Sequence, residues 1–212
     1  FAEACAKEGI IFAGPSPEAL RLFGDKAQAR ALAAKLGVPL FPGTNGATSL
    51  EEARAFMEAH GAVMLKALAG GGGRGMRAVT DPKDLGEAYE RCRSEAQAAF
   101  GSGDIYVEKL IRTARQIEIQ IVGDGTNVID LGERECTLQR RNQKVVEIAP
   151  SPTLDAGFRK NLVEAARTLA SAASYKGLGT FEFLIDMEAK KADSAIAFME
   201  ANPRLQVEHT VT

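Results

Sequence analysis

The sequence predicts an α+β protein, with helix and strand signals alternating along its 212 residues. Three observations carry that expectation. Capping signals open short amphipathic stretches in the first half. Period-two alternation of apolar residues begins near Ile105. A glycine-rich segment lies between two short strand-like runs, with no helix after it. The pattern divides the chain into a helical entry segment (1–40), a small α+β unit (roughly 41–110) and a larger sheet-rich segment (111–212).

The elements follow in order. Ser16-Pro17-Glu18 pairs an N-cap with a proline at the first helical position. Asp25-x-x-Gln28 opens a helix to Leu36, which Gly37 stops. Ser49-x-x-Glu52 is a capping box for a short helix through Ala53, Phe56 and Met57. Ala62-Val63-Met64-Leu65 reads as a strand ending at Lys66, and Met76 to Val79 as a second. Asp81-Pro82 caps a helix with Leu85, Ala88, Tyr89, Cys92 and Ala96 on one face. Ile105-Tyr106-Val107 and then Ile117, Ile119 and Ile121 mark half-buried strands. Asp155 starts a long helix, and strands over Thr180–Ile185 and Ala195–Asn202 close the sequence.

Composition narrows the function classes. A formal net charge of -2 gives no basic footprint for nucleic acid. The apolar runs fall short of the ~20 residues needed to span a bilayer, so no membrane partner is expected. Three dispersed cysteines and two histidines make a zinc site improbable and fit a reducing, cytoplasmic compartment, with the mitochondrial matrix as the other option. The chain opens at Phe1 and stops after a charged motif, and is read as part of something longer.

Gly70 to Gly75 formally satisfies G-x-G-x-x-G, but a dinucleotide fingerprint must lead into a helix, and here a strand follows. A Gly-Lys-Ser/Thr ending is also missing. A glycine loop between strands suits a flap whose backbone N–H groups close over polyphosphate, with Lys66 and Arg74 adding positive charge. A flexible solvent loop is the alternative.

Glu200, Asn202, Arg204, Gln206 and Glu208 alternate with Ala, Pro, Leu and Val. In an extended chain they share one face, and Pro203 implies that the run leaves the sheet there. Glu182 sits between Phe181 and Phe183 on the preceding strand and would face Glu200 if the two pair antiparallel. Close carboxylates repel unless a cation neutralises them, and this donor set, with Asn202, suits Mg²⁺ carrying ATP phosphates. A solvated edge strand is the other reading. Glu133 to Lys144 reads by itself as a charge-dense solvated loop, with Lys144 leading into a strand.

Together these stretches resemble the biotin carboxylase family of ATP-grasp enzymes. The residues that carry the resemblance are Gly24-Asp25-Lys26, Lys66 through Arg77, Glu108-Lys109 and Ile117-Glu118-Ile119-Gln120. Gln139 through Glu147, Gly179 through Leu184 and Glu200 through His209 complete the set, so it spans essentially the whole chain. The Gln-Arg-Arg-x-Gln-Lys segment and the final polar run are the parts most specific to the biotin-dependent branch.

The resemblance implies an ATP-grasp fold with a small lid subdomain and a larger antiparallel-sheet subdomain, truncated at both ends. It assigns Lys26, Lys66, Gly72 and Gly73 to the ATP phosphates, and Glu108, Lys109 and Ile111 to an adenine hinge. Gln116 and Asn142 fall in the nucleotide pocket, where relatives commonly carry histidine. Glu182, Glu200 and Asn202 would hold Mg²⁺ (or Mn²⁺). Lys144, Arg204, Gln206 and the backbone at Val207 would bind bicarbonate, with Glu208 as the base.

The implied reaction is a ligase activity. Bicarbonate attacks the γ-phosphorus, and the resulting carboxyphosphate delivers CO₂ to biotin on a carrier domain or protein. A carboxyltransferase partner and a homo-oligomer or larger complex are implied as well. The family's arginine for the biotin enolate would lie beyond Thr212, so the isolated chain is expected to bind nucleotide without carboxylating biotin. Competing readings are carbamoyl-phosphate synthetase, a non-catalytic ATP-binding module and, on the glycine pattern alone, a nicotinamide-dependent enzyme.

Overall fold

A computed structural model describes residues 1–69, 75–140, 142–189 and 195–212. Gly72, Gly73, Arg74, Arg141 and most of the charged connection after Met187 lie outside the described residues. Two compact units are present: residues 41–112 with 140–143, and residues 1–40, 113–139 and 144–212.

The first of these units holds α4 (Leu50–His60), β1 (Val63–Ala67), β2 (Met76–Val79), α5 (Leu85–Phe100) and β3 (Ile105–Lys109). Its antiparallel sheet has the order β2-β1-β3. The Ser49 capping box forms as expected, with Ser49 and Glu52 each satisfying the other's backbone N–H. Leu85, Tyr89, Cys92 and Ala96 bury one stripe of α5 against Val63, Leu65, Ile105 and Val107. Gly75 returns the chain from the glycine segment to β2. Its φ is +65°, and a Cβ there would sit 2.9 Å from the Ala67 Cβ. Its carbonyl accepts from Ala67 N (2.8 Å) and Cys92 Sγ (3.0 Å), so the base of that segment is fixed at close range.

The second unit begins with α1 (Ala2–Lys7), α2 (Pro17–Gly24) and α3 (Lys26–Lys35). Ser16 caps α2, and Asp25 caps α3 by accepting from Ala27 N and Gln28 N. Then come β4 (Ala114–Asp124), β5 (Val128–Arg140), β6 (Gln143–Ile148), α6 (Ala156–Ala172), β7 (Lys176–Asp186) and β8 (Ile196–Asn202). The sheet order is β6-β5-β4-β7-β8. Ile117, Ile119, Phe181, Phe183 and Phe198 bury one face with Phe23 of α2 and Leu162 and Leu169 of α6. Phe23 meets Phe181 edge-on at 5.1 Å. Each such side chain contributes about 1.5–3 kcal/mol on burial.

Two expectations need correction. The stretch from Glu133 to Arg140 is strand β5, not a solvated loop, because Glu133, Arg134 and Glu135 are buried and each is paired: Arg134 with Glu118 of β4, Glu133 with Arg159 of α6 and Glu135 with Ser151. The polar run from Glu200 keeps one face only as far as Asn202. The exit from the sheet at Pro203 is as the sequence implied, but beyond it the chain buries Gln206 and turns into a 3-10 helix over Val207–Val211 instead of staying extended. Among the described residues no helix is long and apolar enough to cross a membrane.

Candidate active site

The strand register builds the site. Arg134 on β5 stands opposite Glu118 on β4, Glu118 opposite Glu182 on β7, and Glu182 opposite Glu200 on β8. One cation and three carboxylates therefore form a row across four strands, on the face opposite the Ile117–Phe181–Phe183 core. At a separation of about 5 Å, two carboxylates repel by about 3 kcal/mol at an effective dielectric of about 20. The row persists only with cations seated in it.

Two lysines supply them. Lys144 of β6 places Nζ 3.1 Å from Glu182 Oε1 and also pairs with Glu118 Oε2. Lys26, at the start of α3, reaches Glu200 Oε2 at 3.3 Å. Asn202 Nδ2 donates to Glu182 Oε1 at 2.7 Å, and Gln116 Nε2 donates to Glu182 Oε2. Gln139 Nε2 in turn donates to Gln116 Oε1 at 2.6 Å, which fixes the orientation of that amide. Five residues assigned to phosphate, metal or bicarbonate (Lys26, Lys144, Glu182, Glu200 and Asn202) are thus brought together, with Gln116 beside them.

Burial, with neighbouring charge added to it, shifts the proton affinities of these groups. Burial, followed by the charges of Glu200 and Glu118, pushes Glu182 up to about 7 against the pull of Lys144. Burial works to depress the Lys144 ammonium, but Glu182 and Glu118 outweigh it and hold it above the ordinary lysine range. Burial and Glu118 push Glu147 up to about 7. For Glu208 burial acts the same way, yet hydrogen bonds from its own backbone and from Glu147 hold it below the usual carboxylate range.

Glu147 gives a test by pH. Its folded value of about 7 exceeds the free value of 4.5, so the stability it contributes is complete below about 4.5 and lost as pH rises through about 7. Glu147→Gln, which cannot ionise, is expected to melt higher than the parent at pH 8, with the gap closing by pH 5. A scanning-calorimetry difference that does not change with pH would contradict this.

The remaining residues of the final run are arranged differently. Arg204 is exposed, and its Nη1 donates to the Leu205 carbonyl at 3.2 Å. Gln206 is buried and accepts from Thr180 Oγ1. Val207 opens the 3-10 helix and is exposed, while Glu208 is half-buried.

In the unit of residues 41–112, Lys66 and Glu108 form a buried ion pair, and Tyr106 Oη donates to the other Glu108 oxygen. Lys109 is exposed, with its backbone N donating to Pro42 O at 2.9 Å, and Ile111 is half-buried. Asn142 adopts a φ of 60°, a left-handed conformation that asparagine tolerates better than most residues.

The donors fit a hard divalent cation. Glu182 and Glu200 face each other with Asn202 two residues on, a set of hard oxygen-bearing side chains on adjacent strands. Glu118, Cys136 and Glu147 also cluster within 4.8 Å. Lys144 and Arg134 already neutralise those carboxylates, and the Cys136 thiol is held protonated by burial, so this second cluster is a poor metal site.

Sequence reasoning gave no role to Arg134, Glu118 or Glu147. The available signal was that Ile117, Ile119 and Ile121 occupy one face of β4. With that face apolar, Glu118 and Gln120 had to point together to the other.

Known proteins agree with this architecture. The family described as carbamoyl-phosphate synthase L chain, ATP binding domain, matches residues 25–212. Pyruvate carboxylase of Bacillus subtilis is 49% identical over the whole chain, which spans 18% of that protein's length. A biotin carboxylase from Campylobacter jejuni, crystallised as a β,γ-ATP complex, superposes with a TM-score of 0.92 at 48% identity. That match covers 99% of this chain and 47% of the other. The biotin carboxylase domain of Hydrogenobacter thermophilus 2-oxoglutarate carboxylase, in complex with MgADP, ADP and bicarbonate, gives a TM-score of 0.91 at 42% identity. There the match covers 99% of this chain and 46% of that one. The fold is the α+β ATP-grasp fold of the biotin carboxylases, and the chain belongs to the family of the carbamoyl-phosphate synthase L chain ATP-binding domain.

Proposed function

We propose that this chain is the ATP-binding part of a biotin carboxylase, which uses MgATP to activate bicarbonate for transfer to biotin. The observation that carries the reading is the carboxylate row, in which Glu182 and Glu200 face each other beside Asn202, with Lys26 on Glu200 and Lys144 between Glu118 and Glu182. That is an arrangement for a divalent cation and transferring phosphate. The nucleotide and bicarbonate complexes of its relatives support the same assignment.

Glu182, Glu200 and Asn202 would hold Mg²⁺, which when bound neutralises charge on the phosphoryl oxygens. Lys26 and Lys66, with Gly72 and Gly73, bind and orient the phosphates. Glu108, Lys109 and Ile111 border the adenine, and Gln116 and Asn142 complete the nucleotide contacts. Lys144 and the planar fork of Arg204 hold the bicarbonate anion with Gln206 and the Val207 backbone. Glu208 takes the bicarbonate proton, and the oxygen so freed attacks the γ-phosphorus to give carboxyphosphate as the bond to the β-phosphate oxygen breaks and ADP leaves. Carboxyphosphate then releases its phosphate, a ureido nitrogen of biotin on a carrier domain gives up its proton and accepts the carboxyl group, and a carboxyltransferase passes it on to the final acceptor.

Glu200→Gln tests the metal assignment, because it removes a ligand charge and keeps the shape. Calorimetric titration should show MgATP binding weakened about 10- to 100-fold, the value of one charge-assisted contact, with an unchanged thermal midpoint. Unaltered affinity would overturn the assignment.

A further inference from the structure

Arg134 lies outside every role assigned above, yet it is the most deeply enclosed cation of the sheet. Its side chain is 0% exposed, as is that of Glu118, which it faces. Nε and Nη2 both reach Glu118 Oε1 at 2.5 Å. Nη1 donates to Gln120 Oε1 at 2.9 Å and also to Thr212 Oγ1, while Nε lies 3.6 Å from Glu147 Oε2. The second oxygen of Glu118 accepts from Lys144 Nζ. One carboxylate is therefore gripped on one side by a guanidinium and on the other by the ammonium assigned to bicarbonate.

As a stability device this arrangement is poor. Desolvating a guanidinium and a carboxylate together is costly, and an apolar replacement of similar volume is commonly neutral or better. What the arrangement does supply is direction. A lysine ammonium is a point charge on a flexible stem with rotatable donors, and it stays in place only if its acceptors do. Lys144 has two carboxylate acceptors, Glu182 and Glu118. Glu182 already accepts from Asn202 and Gln116 and is the proposed metal ligand. Glu118 has the rigid partner, because Arg134 is locked by Gln120 and Thr212 at its far end.

We propose that Arg134 is a positioning residue: by fixing Glu118, it sets Lys144 where bicarbonate binds. This rests on the reading of Lys144 as a bicarbonate ligand. Arg134 then acts on bicarbonate affinity through two intervening side chains, without touching the anion.

The test uses the full-length protein with Arg134→Lys, the near-isosteric Glu118→Gln, and both together. Steady-state ATP cleavage should show KM for bicarbonate raised about tenfold in each, the value of one charge-assisted hydrogen bond. KM for MgATP should stay within about twofold. The double variant should be no worse than the worse single, because both act along one path. The carbon-13 resonance of reductively methylated Lys144, identified by its loss in Lys144→Arg, should move in both variants.

Additive losses, losses falling equally on MgATP, or an unmoved Lys144 resonance would overturn the proposal. If Arg134→Lys does not fold, Glu118→Gln decides by the same readouts. Lys144→Met separates the two claims. An unchanged bicarbonate KM in that variant sinks the reading of Lys144 itself. A raised KM there, with Glu118→Gln and Arg134→Lys like the parent, sinks only the positioning role.

Discussion

Glu208→Gln is expected to lower bicarbonate-dependent ATP cleavage by about 10²- to 10⁴-fold, the range for loss of a general base, while MgATP binding changes by less than about twofold. The amide keeps the shape and removes only the capacity to accept a proton. Glu208 is suited to that task because below about pH 7 Glu147 holds the proton of the pair and leaves Glu208 ionised. Above about pH 7 Glu147 loses that proton, and Glu208 becomes the stronger base beside a second anion. Activity should therefore rise through neutrality, and Glu147→Gln should remove that limb. A Glu208→Gln variant with near-parental turnover in stopped-time phosphate assays would contradict the assignment.

Gly123→Ala is expected to be among the most damaging single-methyl changes in the described residues. A Cβ at 123 would sit 2.1 Å from the Tyr175 backbone oxygen and 2.9 Å from its carbonyl carbon. Tyr175 is fully buried and packs edge-on against Phe181 at 5.9 Å, and its carbonyl also accepts from Gly125 N at 3.0 Å. The obstructing atom is main chain held on several sides, so neither partner can step away. Overpacking of this kind costs about 3 kcal/mol, or about 6–12 °C in thermal midpoint for a domain of this size. Gly86→Ala in α5, where a Cβ meets nothing within 4 Å, should move the other way by up to about 1 kcal/mol. Urea unfolding of the two variants measures the contrast, and equal midpoints would refute it.

The helix ends and the apolar strands were readable because each is set by local chemistry. Ser49 and Glu52 cap each other wherever the helix packs, and Ile117, Ile119 and Ile121 must share a face of any strand. The facing of Glu182 and Glu200 was also readable, since it needed only the antiparallel pairing of two strands. β5 was not. Glu133, Arg134 and Glu135 carry charge on both faces of one strand, which looks like solvation unless the partners are known. Those partners are distant in the chain. Glu133 accepts from Arg159 Nε at 2.8 Å and Glu135 from Ser151 Oγ at 2.7 Å on one face, while Arg134 meets Glu118 on the other. Lys144 illustrates the same limit. Its position before Val145 placed it on a strand, but only the register shows that it sits between Glu118 and Glu182.

The deciding measurement is phosphate release from MgATP by the full-length protein, with bicarbonate present and then rigorously removed. The expected result is release that requires bicarbonate, increases with free biotin and is indifferent to ammonia. Release driven by ammonia without biotin, or saturable MgATP binding with no release under any of these conditions, would contradict it.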